Sequence, residues 1–518
     1  MTLTLNTRRS GVLLHPTSLP GPHGSGDFGP AAYHFIDWLH NAGQTLWQVL
    51  PLNPIGPGNS PYAGVSAFAG NPLLVALEPL IEKGWLIAPE PETLAQFDTL
   101  RVDYGRNIPW RMEQLRAAWK GFSQFASAED SNALRTYSAE QATWLDDYAL
   151  FMAVDHAVNP PDTAPGDWRA WCDWTEMDGG LAKRTPDALA EARIQFADAV
   201  AFWQFTQWCF ETQWQALRAY GRGLGVCVIG DLPIFIAHHS ADCWARPDLY
   251  WLDDSGQPTV VAGVPPDFFS ATGQRWGNPL YRWDAFEQDG FAWWIARVKR
   301  QLALADVVRI DHFRGFAAYW EIPASCPTAM EGQWVMAPGQ ALFSAIQSKL
   351  QTDAAVPLPI IAEDLGVITP DVETLRDTFA FPGMRILQFG FGDTPDNAFL
   401  PHNYIANTVA YTGTHDNDTA RGWWATATDS ERDTARTYLN CTENQAHSGM
   451  TRAIMASVAN TTILPLQDVL GLDSTHRMNT PGLMGAWEWR FVWDWVGSAP
   501  GAHLKALTIA FGRHSVVL

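Results

Sequence analysis

The sequence has little positive charge and few charged residues of either sign. Its 518 residues include 34 Lys and Arg against 55 Asp and Glu, a net charge of −21, and charged residues make up only 17%. Because a surface of this sign repels phosphate groups, we expect neither nucleic acid nor an anionic membrane as a partner. A hydrophobic content of 47% excludes an intrinsically disordered chain.

Cysteine and long apolar runs are scarce as well. The six cysteines are scattered without a C-x-x-C pair, a usage typical of proteins from a reducing compartment. No stretch approaches the ~18 consecutive apolar residues that a membrane-spanning helix needs. The apolar run after Arg8 and Arg9 ends at His15 and is too short for the core of a signal peptide. We therefore expect a cytoplasmic protein.

Motifs that hold phosphate groups or metal ions are also missing. The chain contains no G-x-x-x-x-G-K-[ST], no H-E-x-x-H and no EF-hand loop. His238, His239 and Cys243 could bind a metal ion only with a further ligand, which the sequence does not identify. We therefore expect no metal and no cofactor.

Tryptophan, in contrast, is abundant, with 26 residues. We expect most of them in the core. The flat apolar face and the N–H group of tryptophan nevertheless suit ligands that are half apolar and half polar, such as sugar rings.

Eight short apolar runs, each ending in polar or charged residues, recur along the chain. Near-continuous apolar character is typical of strands buried on both faces of a parallel sheet. Helix-start residues such as Thr369 and Pro370 follow several runs. The pattern predicts an α/β fold, namely a (β/α)8 TIM barrel, with an open doubly wound sheet as the alternative. The runs are Val12–His15, Leu46–Leu52, Val226–Phe235, Val307–Phe313, Pro359–Leu365, Met384–Phe391, Thr408–Asp416 and Thr461–Gln467.

Uneven spacing between the runs predicts large, mainly helical insertions within one catalytic domain, 1–518. Residues 53–225 are predicted to form an inserted, largely helical subdomain, which ends in apolar residues at helical spacing. A second insertion is predicted at 237–300. It carries a segment, 263–279, that is rich in Gly, Pro and aromatic residues and has no helix or strand period, so we expect an active-site lid loop there.

Acidic residues close four of the predicted strands. Asp231 closes the stretch Cys227–Asp231 within the third run, and Asp311, Glu363 and Asp416 lie in the polar ends of the fourth, fifth and seventh runs. The carboxyl ends of all strands of a (β/α)8 barrel face one mouth, so these carboxylates are expected to converge there. Paired carboxylates, together with tryptophan platforms, favour chemistry on a glycosidic bond.

The neighbours of these acids suggest separate roles. Arg309 and Asp311 are two residues apart on a strand and therefore point to the same side. A guanidinium group beside a carboxylate keeps it ionised, as a nucleophile requires. Asp364 points away from Glu363, and spacing alone leaves open which of the two faces the mouth.

Around these residues the sequence resembles the amylomaltases, the 4-α-glucanotransferases of glycoside hydrolase family 77 in the α-amylase clan. The resemblance runs essentially from end to end, and its motifs in this order are highly specific. They are Gly11–Pro20, Ser60–Tyr62, Gly230–Phe235, Gln274–Pro279, Val308–Gly315, Ala362–Gly366, Thr412–Asp418 and Arg477–Asn479.

The resemblance implies a set of site residues. Asp311 would be the nucleophile, Glu363 the acid/base and Asp416 the transition-state stabiliser. Further residues would bind the substrate, in the reacting subsite or at its rim: Ser60, Tyr62, Asp231, Gln274, Trp276, Arg309, His312, Asp364, His415 and Asn479. Two residues depart from the family pattern, since Ala271 replaces an acidic residue in the lid and Pro57 replaces a tyrosine near the donor groove.

The implied activity is transfer of a 1,4-α-glucan segment to the 4-hydroxyl of glucose or another 1,4-α-glucan by a retaining double displacement. Maltooligosaccharides would serve as donors and acceptors, and cyclic products are possible. The resemblance implies no C-terminal β-sandwich domain, and we expect a monomer or weak homodimer. A retaining α-1,4-glucan hydrolase and a non-catalytic maltodextrin-binding protein are the alternatives.

Overall fold

Twelve strands form two sheets in the computed structural model, which describes residues 5–158, 173–266, 270–351, 353, 356–392, 394–483 and 486–514. Every apolar run predicted as a strand overlaps one of them. The strands are β1 (Arg9–Leu13), β2 (Leu46–Gln48), β3 (Cys227–Leu232), β4 (Val260–Val264), β5 (Gln274–Pro279), β6 (Val307–Ile310), β7 (Ala318–Pro323), β8 (Gln333–Met336), β9 (Ile360–Ala362), β10 (Gly383–Ile386), β11 (Thr408–Tyr411) and β12 (Thr461–Pro465).

Eight of these strands form a parallel barrel. The order in the sheet is β10-β11-β12-β1-β2-β3-β6-β9, and every pairing is parallel. The Ala362 N–H at the end of β9 donates to the carbonyl of Pro382, just before β10, at 3.0 Å and brings the two edges together. The predicted (β/α)8 barrel is therefore confirmed, and the open sheet is excluded.

The barrel strands are apolar because both of their faces are covered. Every residue of β2, β6, β9, β11 and β12 is buried. Their carboxyl ends carry the polar residues of the predicted site.

The helices are α1 (Pro30–Asn41), α2 (Glu78–Glu82), α3 (Pro91–Leu94), α4 (Tyr104–Phe125), α5 (Ala128–Glu140), α6 (Ala142–Val158), α7 (Gly179–Ala182), α8 (Pro186–Gln195), α9 (Ala197–Gly223), α10 (Ala241–Ala245), α11 (Trp283–Gln288), α12 (Ala292–Leu304), α13 (Gly339–Leu350), α14 (Pro370–Thr378), α15 (Ala420–Thr426), α16 (Asp429–Leu439), α17 (Ala446–Ala456), α18 (Leu466–Leu470), α19 (Trp493–Val496) and α20 (Ser498–Ala510).

The long helix α9 joins the first insertion to the barrel. Helices α2 to α9 all lie between β2 and β3, within the range predicted to be largely helical. The buried Gln207 and Gln213 of α9 bond both backbone groups of Gly70 and of Ala76, respectively, at 2.7 to 3.0 Å. Side-chain amides thus replace a strand partner and fix the segment that follows the loop carrying Tyr62.

In the segment predicted as the lid loop, 263–279, residues 267–269 lie outside the described residues, and the described part contains strand structure. A lid role for it stays a prediction. The described part includes the end of β4 and the whole of β5, which pair antiparallel and extend through β7 to β8 in a four-stranded sheet, β5-β4-β7-β8. The prediction missed these strands because the first three residues of β5 are exposed, so no apolar alternation marks the strand. Gly273, just before β5, and Gly277, inside β5 where its pairing with β4 shifts register, adopt left-handed backbone angles, φ 67° and 84°.

Helices follow the last barrel strand. These elements are α18, α19 and α20. Among the described residues, none of the helices combines the length and apolar character that crossing a membrane requires.

Candidate active site

Arg309, on β6, is the centre of a buried charge network at the barrel mouth. Its Nη1 donates to both carboxylate oxygens of Asp231, on the neighbouring strand β3, at 2.8 Å. Its Nη2 donates to Oδ1 of Asp311, also at 2.8 Å. Although burial opposes it, Asp231 and Asp311 raise the pKa of Arg309 well above its ordinary value. The predicted same-side pairing of Arg309 and Asp311 is confirmed, and it fixes the Asp311 carboxylate.

Tyr62 completes the shell around Asp231. Its hydroxyl donates to Oδ2 of Asp231 at 2.6 Å, and Ser60 caps the short turn that carries it by accepting the Tyr62 N–H at 3.2 Å. The phenol ring stacks on His415, with centroids 5.2 Å apart and an interplanar angle of 14°. Ser60 therefore orients Tyr62, which links the ends of β3 and β11.

Asp416, after β11, is held as an ionised carboxylate. Its Oδ2 lies 3.2 Å from His415 Nε2, and its Oδ1 accepts from Asn479 Nδ2 at 2.6 Å. Arg477 donates to the backbone carbonyl of Asp416 at 2.8 Å. Burial would raise the pKa of Asp416, but His415 and Asn479 outweigh it and lower this pKa to about 2.

Glu363, after β9, has the opposite character. Its Oε2 accepts the His312 N–H at 2.6 Å, and its Oε1 accepts the Leu365 N–H at 2.8 Å. Burial nevertheless raises the pKa of Glu363 to about 7, against the attraction of Arg309 and with help from the negative charge of Asp311. This carboxyl can therefore hold or release a proton near neutral pH.

The sheet β5-β4-β7-β8 reaches the site through Trp276. This residue is 40% exposed, and its indole ring meets the ring of His312 edge to face, with centroids 4.9 Å apart. Trp276 Nε1 donates to the side-chain oxygen of Gln274 at 3.2 Å. Burial lowers the pKa of His312 to about 4, so its imidazole is neutral at neutral pH. Gln274 and Trp276 thus form an exposed rim beside His312.

Asp364 lies apart from the other predicted site residues. Only 3% of the residue is exposed, and its carboxylate contacts Arg376 at 2.5 Å and Arg385 at 3.3 Å and accepts the Met384 N–H at 2.7 Å. These partners account for the polar contacts of the carboxylate, which fixes the start of β10. The expectation that Asp364 binds the substrate stays a prediction. Its neighbour Glu363 has a pKa that responds to Arg309 and Asp311.

The structure also adds a residue that sequence reasoning missed. Trp487 packs on Tyr62 and on His415, each at 5.7 Å between ring centroids. Nothing in its local sequence distinguished it from the other 25 of the 26 tryptophans.

Of the two departures, Ala271 is exposed at a turn between β4 and β5, and Pro57 begins a short 3-10 turn.

Known proteins match this chain over nearly its whole length. The family model described as 4-alpha-glucanotransferase matches residues 14–494. A 4-alpha-glucanotransferase from Thermus thermophilus is 49% identical over 515 residues, covering 98% of this chain and 99% of the relative. One from Synechocystis is 44% identical over 98% of this chain and 99% of its own length.

A solved structure is similar over the same extent. An amylomaltase from Streptococcus agalactiae, in complex with acarbose, gives a TM-score of 0.91 at 37% identity and covers 98% of this chain and 100% of that one. All of the site residues described above, from Ser60 to Trp487, fall inside the range of the family model.

Proposed function

We propose a role in the transfer reaction for each of the site residues. The premise is that the chain belongs to the 4-alpha-glucanotransferases of glycoside hydrolase family 77. A 4-alpha-glucanotransferase moves a segment of a 1,4-α-glucan to an acceptor sugar. Maltooligosaccharides and longer 1,4-α-glucans are the donors, and glucose or a maltooligosaccharide is the acceptor. The acarbose complex of the Streptococcus relative supports a glucan-shaped site.

Asp311 is the nucleophile. An α-1,4 bond is made from an α-1,4 bond, so two inversions are needed and a covalent β-glucosyl ester forms between them. The observation that carries this assignment is the bond from Arg309 Nη2 to Asp311 Oδ1 at 2.8 Å, because the buried guanidinium holds a partly exposed carboxylate in place at the mouth.

Glu363 is the general acid and then the general base. It protonates the leaving 4-oxygen while Asp311 attacks the anomeric carbon, and it later takes the proton of the acceptor 4-hydroxyl as that oxygen displaces Asp311. A pKa of about 7 suits both steps. We expect the carboxyl groups of Asp311 and Glu363 to lie about 5–5.5 Å apart, the separation used by retaining enzymes.

Asp416 stabilises the transition state. The reacting sugar develops oxocarbenium-like positive charge, and Asp416 supplies a carboxylate that stays ionised throughout the working pH range. Tyr62, Asp231, Arg309, His312 and His415 surround the sugar in the reacting subsite, with Asn479 and the rim residues Gln274 and Trp276 beyond them.

A maltotriose time course tests the transfer assignment. A transferase converts maltotriose into glucose and a ladder of longer maltodextrins, whereas a hydrolase yields only shorter sugars and a binding protein yields none. Size-exclusion chromatography tests the predicted monomer or weak homodimer, and fractionation of the source cells tests the cytoplasmic location that the scattered cysteines favour.

Covalent labelling tests the nucleophile. Glu363→Ala, incubated with α-maltosyl fluoride and digested, should carry a maltosyl mass on the peptide that contains Asp311. Asp311→Asn in the same background is the matched control and should remain unlabelled. A label on a different peptide would remove Asp311 from this role.

A further inference from the structure

Trp487 lies where two parts of the active site meet. Its ring tilts against Tyr62 at 40° and against His415 at 38°, while these two rings stack on each other. Tyr62 bonds Asp231, and His415 pairs with Asp416. The indole therefore supports, from one side, the neighbours of two carboxylates that belong to different barrel strands.

The backbone of Trp487 is held in a conformation that large side chains rarely adopt. Its φ is +71°, in the left-handed region. The Trp487 N–H donates to the Met478 carbonyl at 2.8 Å, and the Trp487 carbonyl accepts from the buried Tyr104 hydroxyl at 3.0 Å. Strained backbone of this kind persists only where the surroundings determine it, and it concentrates at functional sites.

The same backbone bonds connect Trp487 to a further contact of Asp416. The Trp487 N–H bonds the carbonyl of Met478, and Met478 is the residue before Asn479. The side-chain amide of Asn479 donates to Asp416. On the other side, Glu488 and Arg490 bond the backbone of Val102 and Leu100, in the first insertion. The insertion thus fixes the segment from which the Trp487 ring reaches the site.

We propose that Trp487 is a positioning residue for glucan transfer: its ring fixes Tyr62 and His415, and through them the sugar-facing geometry of Asp231 and Asp416. The inference rests on the proposed function, and it deepens that function by adding a support that the family resemblance did not supply. Misplacement of groups that contact the sugar by about 1 Å can cost about 100-fold in rate, so a supporting ring is sufficient to affect catalysis.

Trp489 provides a matched control. Both tryptophans are 6% exposed and lie two residues apart, but Trp489 stacks on Phe491, with centroids 6.1 Å apart. Truncation of either ring removes a similar buried area, so a loss of stability alone affects both variants alike.

The experiment compares Trp487→Ala, Trp487→Gly and Trp487→Phe with Trp489→Ala in maltotriose disproportionation. We expect Trp487→Ala and Trp487→Gly to lower kcat by about 30-fold or more, with KM within about threefold, since the ring acts through geometry rather than sugar binding. Trp487→Phe should recover most of kcat. Trp489→Ala should keep kcat within about threefold despite a lower Tm.

Three results would overturn the proposal. One is a loss of kcat in Trp489→Ala equal to that in Trp487→Ala. Another is recovery of kcat in Trp487→Gly, which relieves the left-handed backbone and would assign the role to the backbone instead of the ring. The third is a large rise of KM with kcat unchanged.

Labelling with α-maltosyl fluoride separates this inference from the proposed function. Slower labelling of Asp311 in the double variant Glu363→Ala, Trp487→Ala than in Glu363→Ala supports the positioning role. Equal labelling rates contradict that role but leave Asp311 as the nucleophile. Absence of label from Asp311 in both variants would instead refute the nucleophile assignment and, with it, the positioning role that depends on it.

Discussion

Glu363 and Asp416 follow barrel strands at the same mouth, β9 and β11, and each accepts two close polar contacts. The contacts differ in kind, because those of Glu363 come from the backbone and those of Asp416 from side chains. Glu363 receives two backbone N–H groups and lies near the negative Asp311, and burial raises its pKa to about 7. Asp416, although burial opposes it, is paired with His415 and Asn479, which lower its pKa to about 2.

The difference shows how one scaffold supplies both an acid and a permanent anion. Backbone amides orient a carboxylate without a full positive charge, so burial still favours the protonated form. An imidazole and a side-chain amide favour the ionised form strongly enough to overcome burial. Two carboxyl groups whose pKa values are pushed apart in this way are typical of acid/base and electrostatic partners.

The largest effect should come from Asp311→Asn, which removes a charge near Glu363 but keeps the shape of the side chain. No glycosyl ester can form, so kcat for maltotriose should fall by several orders of magnitude, as measured by glucose release. Retention of more than about a tenth of kcat, a loss under ~1.4 kcal/mol, would place the nucleophile elsewhere. Loss of the Asp311 charge should also lower the pKa of Glu363, because that charge helps to raise it.

Glu363→Ala should have the next largest effect, and Asp364→Ala is its neighbouring control. The first variant should lose about 1,000-fold in kcat with maltotriose, because the leaving oxygen is no longer protonated. It should still react with α-maltosyl fluoride, and azide should restore turnover. Fluoride release and maltotriose kinetics measure both properties.

Asp364→Ala should behave differently because it leaves Arg376 and Arg385 without their buried carboxylate. We expect a lower Tm, measured by calorimetry, and no rescue by azide. Azide rescue of Asp364→Ala, without rescue of Glu363→Ala, would exchange the two assignments.

The sequence predicted the barrel because buried parallel strands are apolar throughout, and it predicted the Arg309–Asp311 pair because strand residues two apart share a side. Alternation could not decide between Glu363 and Asp364, since that depends on which face of β9 meets the barrel interior. Trp487 could not be predicted, because its place follows from a left-handed backbone and from contacts between distant segments.

The sheet β5-β4-β7-β8 escaped prediction for a different reason. Its edge strand β8 has no fully buried residue, and β5 has only Pro279 buried. Hydrophobic alternation, the signal used for strands, is therefore missing from both edges. Backbone pairing forms the sheet, and sequence pattern does not report such pairing.

Asn479→Ala removes a hydrogen bond to Asp416 and should lower activity less than the variants of Asp311 and Glu363 do. Loss of a hydrogen bond to a charged carboxylate should lower kcat/KM about tenfold at pH 7. It also removes one of the contacts that lower the pKa of Asp416, so this pKa should rise. Activity requires ionised Asp416, so the variant should lose more activity than the native protein as pH falls towards 4.

The alkaline side of the same profile supplies the internal control. Transfer requires protonated Glu363 at its first step, so kcat/KM should fall as pH rises through about 7 in both proteins. Asn403→Ala, at an exposed asparagine outside the site, should leave the whole profile unchanged. If Asn479→Ala shifted the alkaline limb of the pH profile and left the acid limb unmoved, the assignment of the acid limb to Asp416 and the alkaline limb to Glu363 would be contradicted.

Trp276→Ala should have the smallest effect and act on the choice between sugar and water. The exposed indole lies on the rim of the site, beside His312. His312 follows Asp311, the residue that carries the glycosyl ester, in the sequence. Its loss removes a stacking face for the acceptor and opens a path for water, while Glu363 and Asp416 keep their surroundings. Aromatic contacts contribute ~0.5–1.5 kcal/mol beyond buried area, so the ratio of hydrolysis to transfer should rise about two- to tenfold.

Trp334→Ala tests whether this change of ratio is specific to Trp276. Trp334 lies on β8, the opposite edge of the same sheet, is also 40% exposed and packs under Arg314. Reducing-end release and transferred glucose, measured in one maltotriose reaction, give the ratio for each variant. We expect it to rise in Trp276→Ala alone, because only that ring reaches the rim beside His312. If the ratio stays native in Trp276→Ala while Tm falls, the ring only packs the sheet against the barrel. Water would then be excluded by the residues that surround Glu363 and Asp416.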